Sequence, residues 1–196
     1  MRYLKKIFLV IPFFILSCSS KLYIESYEPI NAFLDTQNLD KNKEYILQSD
    51  KELNKQALRI FNGEEGSEHI IDPYGPLEYN TGGLFVEKYW KKMYTEYAGD
   101  TLKKYWKKED FPHYNFILEK GIGLTLKGSF LTKYMNSRIN EMIILSEPMY
   151  YRNKKYIMFY YLKVYFDSSG TSQVVIMKKE NNKWVVVKIV GDYIYS

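Results

Sequence analysis

His113 stands three residues after Asp110 in the string Glu109-Asp110-Phe111-Pro112-His113. An imidazole beside a carboxylate is the pairing a hydrolase uses as base and orienter. No Gly-x-Ser-x-Gly elbow accompanies it, so the nucleophile for such chemistry has no sequence signal. Glu64, Glu65, Glu68, His69 and Asp72 bring together oxygens that suit a hard cation. They lack the Asp-x-Asp-x-Asp-Gly loop, and one histidine is a poor transition-metal site, so the cluster reads as a solvated acidic loop. Gly121-Ile122-Gly123 lacks the third glycine and the strand-to-helix setting of a nucleotide fingerprint and reads as a turn between strands. The densest constellation is basic: residues 88–108 hold seven lysines and two acids. Trp90 and Trp106 lie among Lys91, Lys92, Lys103, Lys104, Lys107 and Lys108. If an indole is exposed beside the lysines, this stretch suits anionic headgroups or an acidic glycan. The same spacing also suits aromatic core packing with lysines on the opposite, solvated face.

Cys18 is the sole thiol. It follows Arg2, Lys5, Lys6 and a ten-residue apolar run at 7–16, which is half the length of a membrane-spanning helix and the length of a secretory hydrophobic region. Pro12 disfavours a packed helix there. The closing string Ile15-Leu16-Ser17-Cys18 resembles the lipobox of a bacterial lipoprotein. That resemblance implies cleavage before Cys18, diacylation of that cysteine with chains such as palmitate, and Cys18 as the first mature residue. Two or three acyl chains give stable anchoring where one is marginal. Ser19, in place of Asp, points to the outer membrane by the enteric sorting rule. The expected organisation is a signal peptide at 1–17, a lipid-anchored tether at 18–29 and one domain at 30–196.

Charge does not point to nucleic acid. The chain is formally +5, but the first 17 residues carry three bases and no acid. The remainder is asymmetric: residues 18–87 hold 13 acids and 6 bases, residues 88–196 hold 10 acids and 19 bases. Complementarity between two packed faces is the favoured reading of that imbalance, with selection of an anionic partner as the other. A cysteine committed to lipid leaves no disulfide, so packing and hydrogen bonding must hold the fold. Twenty tyrosines and eleven phenylalanines supply contact area, and buried phenols need partners.

Apolar spacing places the elements. Ile30, Phe33 and Leu34 have helical spacing, residues 45–47 suit a short strand, and Leu53, Ala57, Leu58 and Phe61 describe an amphipathic helix with Asp50 as its cap. Residues 62–83 form a long loop. Two helices should follow, one lined by Leu84 to Tyr97 and a second capped by Asp100 with Leu102, Tyr105 and Trp106 inward. Strands are expected at 116–118, 142–146, 156–166, 173–179, 184–190 and 193–195, the last ones separated by Asp167-Ser168-Ser169-Gly170 and Glu180-Asn181-Asn182. Short connections make these antiparallel neighbours. The fold class is α+β, with helices packed on one face of an antiparallel sheet and a C-terminal β meander.

Tyr105-Trp106-Lys107-Lys108-Glu109-Asp110-Phe111-Pro112, Leu145-Ser146-Glu147-Pro148, Tyr156-Ile157-Met158-Phe159-Tyr160-Tyr161 and Lys178-Lys179-Glu180-Asn181-Asn182-Lys183-Trp184 together resemble small lipoproteins of the Bacteroidota. The resemblance implies an envelope location and a sheet, and carries no activity. A looser likeness to cystatin-like and NTF2-like domains implies helices ahead of a curved sheet. The expectation is therefore a lipid-anchored envelope protein with a non-catalytic binding or assembly role. It takes a membrane through its lipid, an envelope protein or a glycan as partner, and no cofactor, metal or nucleic acid. An immunity-type lipoprotein that neutralises a toxin and an exported hydrolase are the alternatives.

Overall fold

The computed structural model describes residues 24, 26–63, 81–166, 170 and 172–191. Cys18, the expected signal peptide, the acidic cluster at 64–72, the turn expected at Asp167-Ser168-Ser169 and the strand expected at 193–195 lie outside the described residues.

Among the described residues, seven strands make one sheet, β1 (Glu44–Gln48), β2 (Asn115–Glu119), β3 (Glu141–Leu145), β4 (Met149–Tyr151), β5 (Tyr156–Tyr165), β6 (Gln173–Glu180) and β7 (Lys183–Gly191). Their order is β2-β1-β3-β5-β6-β7, with β4 paired to β5 beside this path. The class is α+β and the C-terminal β5-β6-β7 meander is antiparallel. The sheet as a whole is mixed, because β1 runs parallel to both β2 and β3. The long stretches between those strands, which hold the helices, give the room a parallel crossover needs.

Helices cover both faces rather than one. Strand residues alternate sides, and both sides are apolar. Tyr45, Leu47, Ile143, Leu145, Ile157, Phe159, Val175 and Met177 fill one core. Ile46, Met142, Ile144, Met158, Tyr160, Val174 and Ile176 fill the other. Strands buried on two faces read as near-continuous apolar runs, which is why β5 looks hydrophobic throughout. The first core is closed by α1 (Glu28–Thr36), which lies against β7, and by Trp106 and Phe111. The second is closed by α2 (Asn54–Asn62), α3 (Glu87–Tyr97) and α4 (Gly128–Tyr134).

Local chemistry explains most helix ends. Pro29 sits in the first turn of α1, where a missing N–H costs nothing, and Glu28 complements the helix dipole. α1 thus starts inside the stretch read as tether. Gly63, at φ +79°, closes α2 in the left-handed conformation and donates its N–H to Ile60. Asp50 is not the cap of α2. That role falls to Leu53, half-exposed and without a side-chain bond, while the Asp50 carboxylate accepts the Gly121 N–H at 2.6 Å.

The second expected helix is absent. Residues 101–107 are extended along the chain that leaves β1: Lys51 N–H donates to Lys104 O at 3.0 Å and Trp106 N–H to Ser49 O at 2.8 Å, with Tyr105 bridged to Asp50. Trp106 is buried at 2% exposure and donates its indole N–H to Leu145 O at 3.3 Å. Strand-end hydrogen bonds and one deep indole override a helical pattern that had no third turn to support it. The Gly121-Ile122-Gly123 turn links β2 not to a strand but to a 3-10 turn at Leu124–Leu126 and then α4.

Candidate functional site: a basic, tyrosine-walled cleft

Packing α3 on the β4–β5 hairpin leaves a cleft of about 140 Å³. Tyr89, Lys92, Met93, Glu96 and Tyr97 line it from α3, at the spacing of one helical face. Tyr150 and Tyr151 line it from β4, and Arg152, Asn153 and Lys154 from the hairpin turn. Tyr97 fixes the two walls together. Its buried hydroxyl accepts the Tyr150 N–H at 3.1 Å, and burial pushes the phenol up to about 12. Tyr151 does the same at the other end of α3, donating to Leu84 O at 2.8 Å and accepting the Val86 N–H at 3.0 Å.

The turn carries the unusual backbone. Arg152, Asn153 and Lys154 have φ of +46°, +53° and +65°, three successive side chains in the left-handed region. Each such residue costs on the order of 1–2 kcal/mol outside glycine, less for asparagine. The surroundings hold it there. Arg152 donates to Gly83 O at 2.9 Å, and its guanidinium lies 5.8 Å from the Tyr151 ring centre and 5.9 Å from that of Tyr156. Its Nε is buried without a hydrogen-bond acceptor. Lys154 Nζ stands 4.9 Å from the Tyr150 ring. Three cations, Lys92, Arg152 and Lys154, thus face one carboxylate, Glu96, which is 3.9 Å from Lys92. Their excess positive charge between tyrosine walls suits an anionic group with a ring or apolar edge.

The eight residues read from the sequence as one anionic-ligand surface do not stay together. Lys92 enters the cleft, and Lys91 lies beside it on α3, paired with Glu87 at 2.6 Å. Trp90 turns inward, its indole N–H donated to Leu58 O at 3.0 Å. Trp106 belongs to the core on the opposite sheet face, so neither indole is free to face a ligand as required. Lys103, Lys107 and Lys108 are exposed, and Lys104 pairs with Asp100 at 2.9 Å. The turn cations were missed. Their signal was present as Tyr150-Tyr151-Arg152-Asn153-Lys154-Lys155-Tyr156, a basic run inside an aromatic strand pair.

His113 is exposed and does not hydrogen-bond Asp110. The Asp110 carboxylate instead accepts the Lys107 N–H at 2.8 Å, holding the 3-10 turn Lys108–Asp110. The base-and-orienter geometry is therefore not formed. Among the described residues, no three His, Cys, Asp or Glu side chains come together as a metal site. No helix among them is long and apolar enough to cross a membrane.

A second constellation lies where β1 and β3 end. Lys51 and Glu147 form a buried ion pair at 3.0 Å. Tyr27 donates to Glu147 at 2.9 Å and accepts from Lys51 at 2.6 Å. Lys51 Nζ lies 4.1 Å from the Trp106 ring centre and 4.5 Å from that of Tyr27. Burial pulls the Lys51 ammonium below the usual lysine range and, with the Glu147 charge, pushes the Tyr27 phenol well above its own. The adjoining cleft holds about 20 Å³, room for about one water.

No family model, no curated protein and no solved structure matches this chain.

Proposed function

We propose that this chain is a lipid-anchored protein of the cell envelope, of the kind found in small Bacteroidota lipoproteins, with a non-catalytic binding role. Its anchor is Cys18, acylated at the outer membrane. Its ligand is an anionic group, taken between α3 and the β4–β5 turn, and an acidic glycan is the class that uses both halves of the cleft. Carboxylates of a uronic acid meet Lys92, Arg152 and Lys154, and the sugar ring lies on tyrosine. The observation that carries this reading is the convergence of those three cations on a tyrosine-walled cleft held by a strained turn. Strain of this kind concentrates at binding sites because a relaxed turn would aim the side chains elsewhere.

The test is equilibrium binding of digalacturonate, with maltose as the neutral control. Digalacturonate should bind and maltose should not, and Arg152→Glu with Lys154→Glu should weaken binding about ten-fold or more, as loss of one charged contact would. Equal retention of both sugars would overturn the ligand assignment. Mass spectrometry of membrane-extracted protein tests the anchor separately, through acyl mass on Cys18 that Cys18→Ala removes.

A further inference from the structure

Large apolar side chains scattered singly over a surface mean little, but here several of the exposed ones gather at one end of the sheet. That end is where the parallel strands β2, β1 and β3 finish. Leu53, after β1, and Leu102, 76% exposed, line the small cleft above the Lys51–Glu147 pair. Tyr105 bridges to Asp50, whose carboxylate holds Gly121, so exposed Ile122 projects beside it. Leu126, 89% exposed, sits against Gly123.

Lysines are interleaved with these side chains. In the extended segment 101–107 and the 3-10 turn that follows it, Trp106 points inward while Lys103, Lys107 and Lys108 are exposed. Lys120 stands 5.2 Å from the Tyr105 ring centre, and the Lys127 ammonium lies against Gly121. Of the acids here, Asp50 and Glu147 are buried, Asp100 is paired with Lys104 and Glu119 with Lys133, which leaves half-buried Glu52 and exposed Glu109. Apolar projections among cations, with a phenol at their boundary, match an anionic bilayer surface: methylenes enter the headgroup layer and ammonium groups stay among phosphates.

The position of the N-terminal segment gives the second argument. Tyr27, just before α1, is bonded to Lys51 and Glu147 and meets the Trp106 ring edge-on at 4.9 Å. The chain therefore enters the domain at this same end. Eight residues separate Cys18 from Tyr27, a reach of at most about 30 Å. A lipid on Cys18 would hold this end, rather than the far one, near the membrane.

We infer that the carboxyl end of the parallel strands, with Leu102, Tyr105, Ile122, Lys103, Lys107 and Lys120 at its centre, is a docking surface for the anionic face of the bilayer that holds the anchor. This rests on the lipid-anchor reading above but not on the cleft. Docking fixes the orientation of the domain, which a tether alone would leave free.

The test uses acylated protein in vesicles of phosphatidylcholine, alone or with about a third phosphatidylglycerol. An environment-sensitive fluorophore is placed on Leu102→Cys, Ile122→Cys or, as control, Asn140→Cys, exposed at the opposite end of β3. Emission should shift to the blue at 102 and 122 in anionic vesicles and stay fixed at 140. In a Lys103→Glu/Lys107→Glu/Lys120→Glu background the shift should fall by about ten-fold or more, each lysine near such a surface being worth roughly five-fold. Equal emission at all three positions, or equal shifts in neutral and anionic vesicles, would overturn the docking surface. An acylated Cys18 takes no fluorophore. Label found on it removes the anchor reading, while the charge-dependent shift at 102 and 122 still decides the surface.

Discussion

Lys51 holds its charge under Tyr27 and Trp106, where Glu147 is its anionic partner. Removing one member of such a pair leaves the other charged in a dry place. Glu147→Gln should therefore cost about 3–5 kcal/mol, whereas Lys51→Met with Glu147→Leu should cost far less. Denaturant midpoints of the three proteins decide this, and equal losses in both variants would contradict it. The pH dependence has a definite sign. Because burial lowers the Lys51 value, the unfolded chain keeps this proton to higher pH than the folded one. Stability from this group therefore rises with pH across the window just below the ordinary lysine value, and Lys51→Met should abolish that slope. Glu141 behaves oppositely. Burial alone would raise it, but Lys163 at 2.7 Å and Lys43 at 2.8 Å outweigh burial and hold it below the usual range. Its stabilisation is present above the ordinary glutamate value and is lost as pH falls through the lowered one, so Glu141→Gln should flatten the acid limb of a stability-against-pH curve. None of these pairs was legible in the sequence. Lys51 and Glu147 are 96 residues apart, and pairing at that distance is set by topology, not by spacing.

At the scale of the element, the β4–β5 turn would join stability to the proposed binding. Asn153 and Lys154 are left-handed without being glycine. Asn153→Gly should raise stability by about 0.5–1 kcal/mol by relieving that strain, read from the denaturant midpoint at unchanged slope. It should also weaken digalacturonate binding several-fold, because a looser turn no longer aims Arg152 and Lys154 into the cleft. A gain in stability with unchanged affinity would show that the strain serves packing alone. Elements with a full apolar period were legible. Leu53, Ala57, Leu58 and Phe61 announced α2, and the β-branched and aromatic runs announced β5, β6 and β7. Short elements that tertiary contacts dictate were not. Residues 101–107 had the composition of a helix but became extended, and α4, seven residues long, gave too brief a pattern to count. The parallel pairing of β1 escaped for the same reason, since strand direction is not written in five residues.

Across the whole molecule, one sheet carries two cores. Met158 and Phe159 are adjacent on β5, yet the first is buried with α2 and α3 and the second with α1. Among the described residues, the charge imbalance between the chain halves is not what joins them. Lys43–Glu141 and Lys51–Glu147 link the halves through their minority charges, and of the ion pairs named here only Lys179–Glu28, at 3.7 Å, and the local α3 pair Lys91–Glu87 follow the imbalance. The joint is instead apolar and runs through shared strands. Neither core can then melt while the other stays folded, because β1, β3, β5 and β6 supply side chains to both. Met158→Ala and Phe159→Ala should each cost about 2–5 kcal/mol and lower the same single transition. Tryptophan emission reports both cores, through Trp90 on one face and Trp106 and Trp184 on the other, and should coincide with far-ultraviolet circular dichroism in either variant. Two separated transitions would mean independent layers, and the cleft on α3 could then loosen without disturbing the end of the sheet proposed to meet the membrane. A single one means that the two surfaces keep a fixed geometry, so that the domain, if anchored and docked as proposed, would present its cleft in one direction.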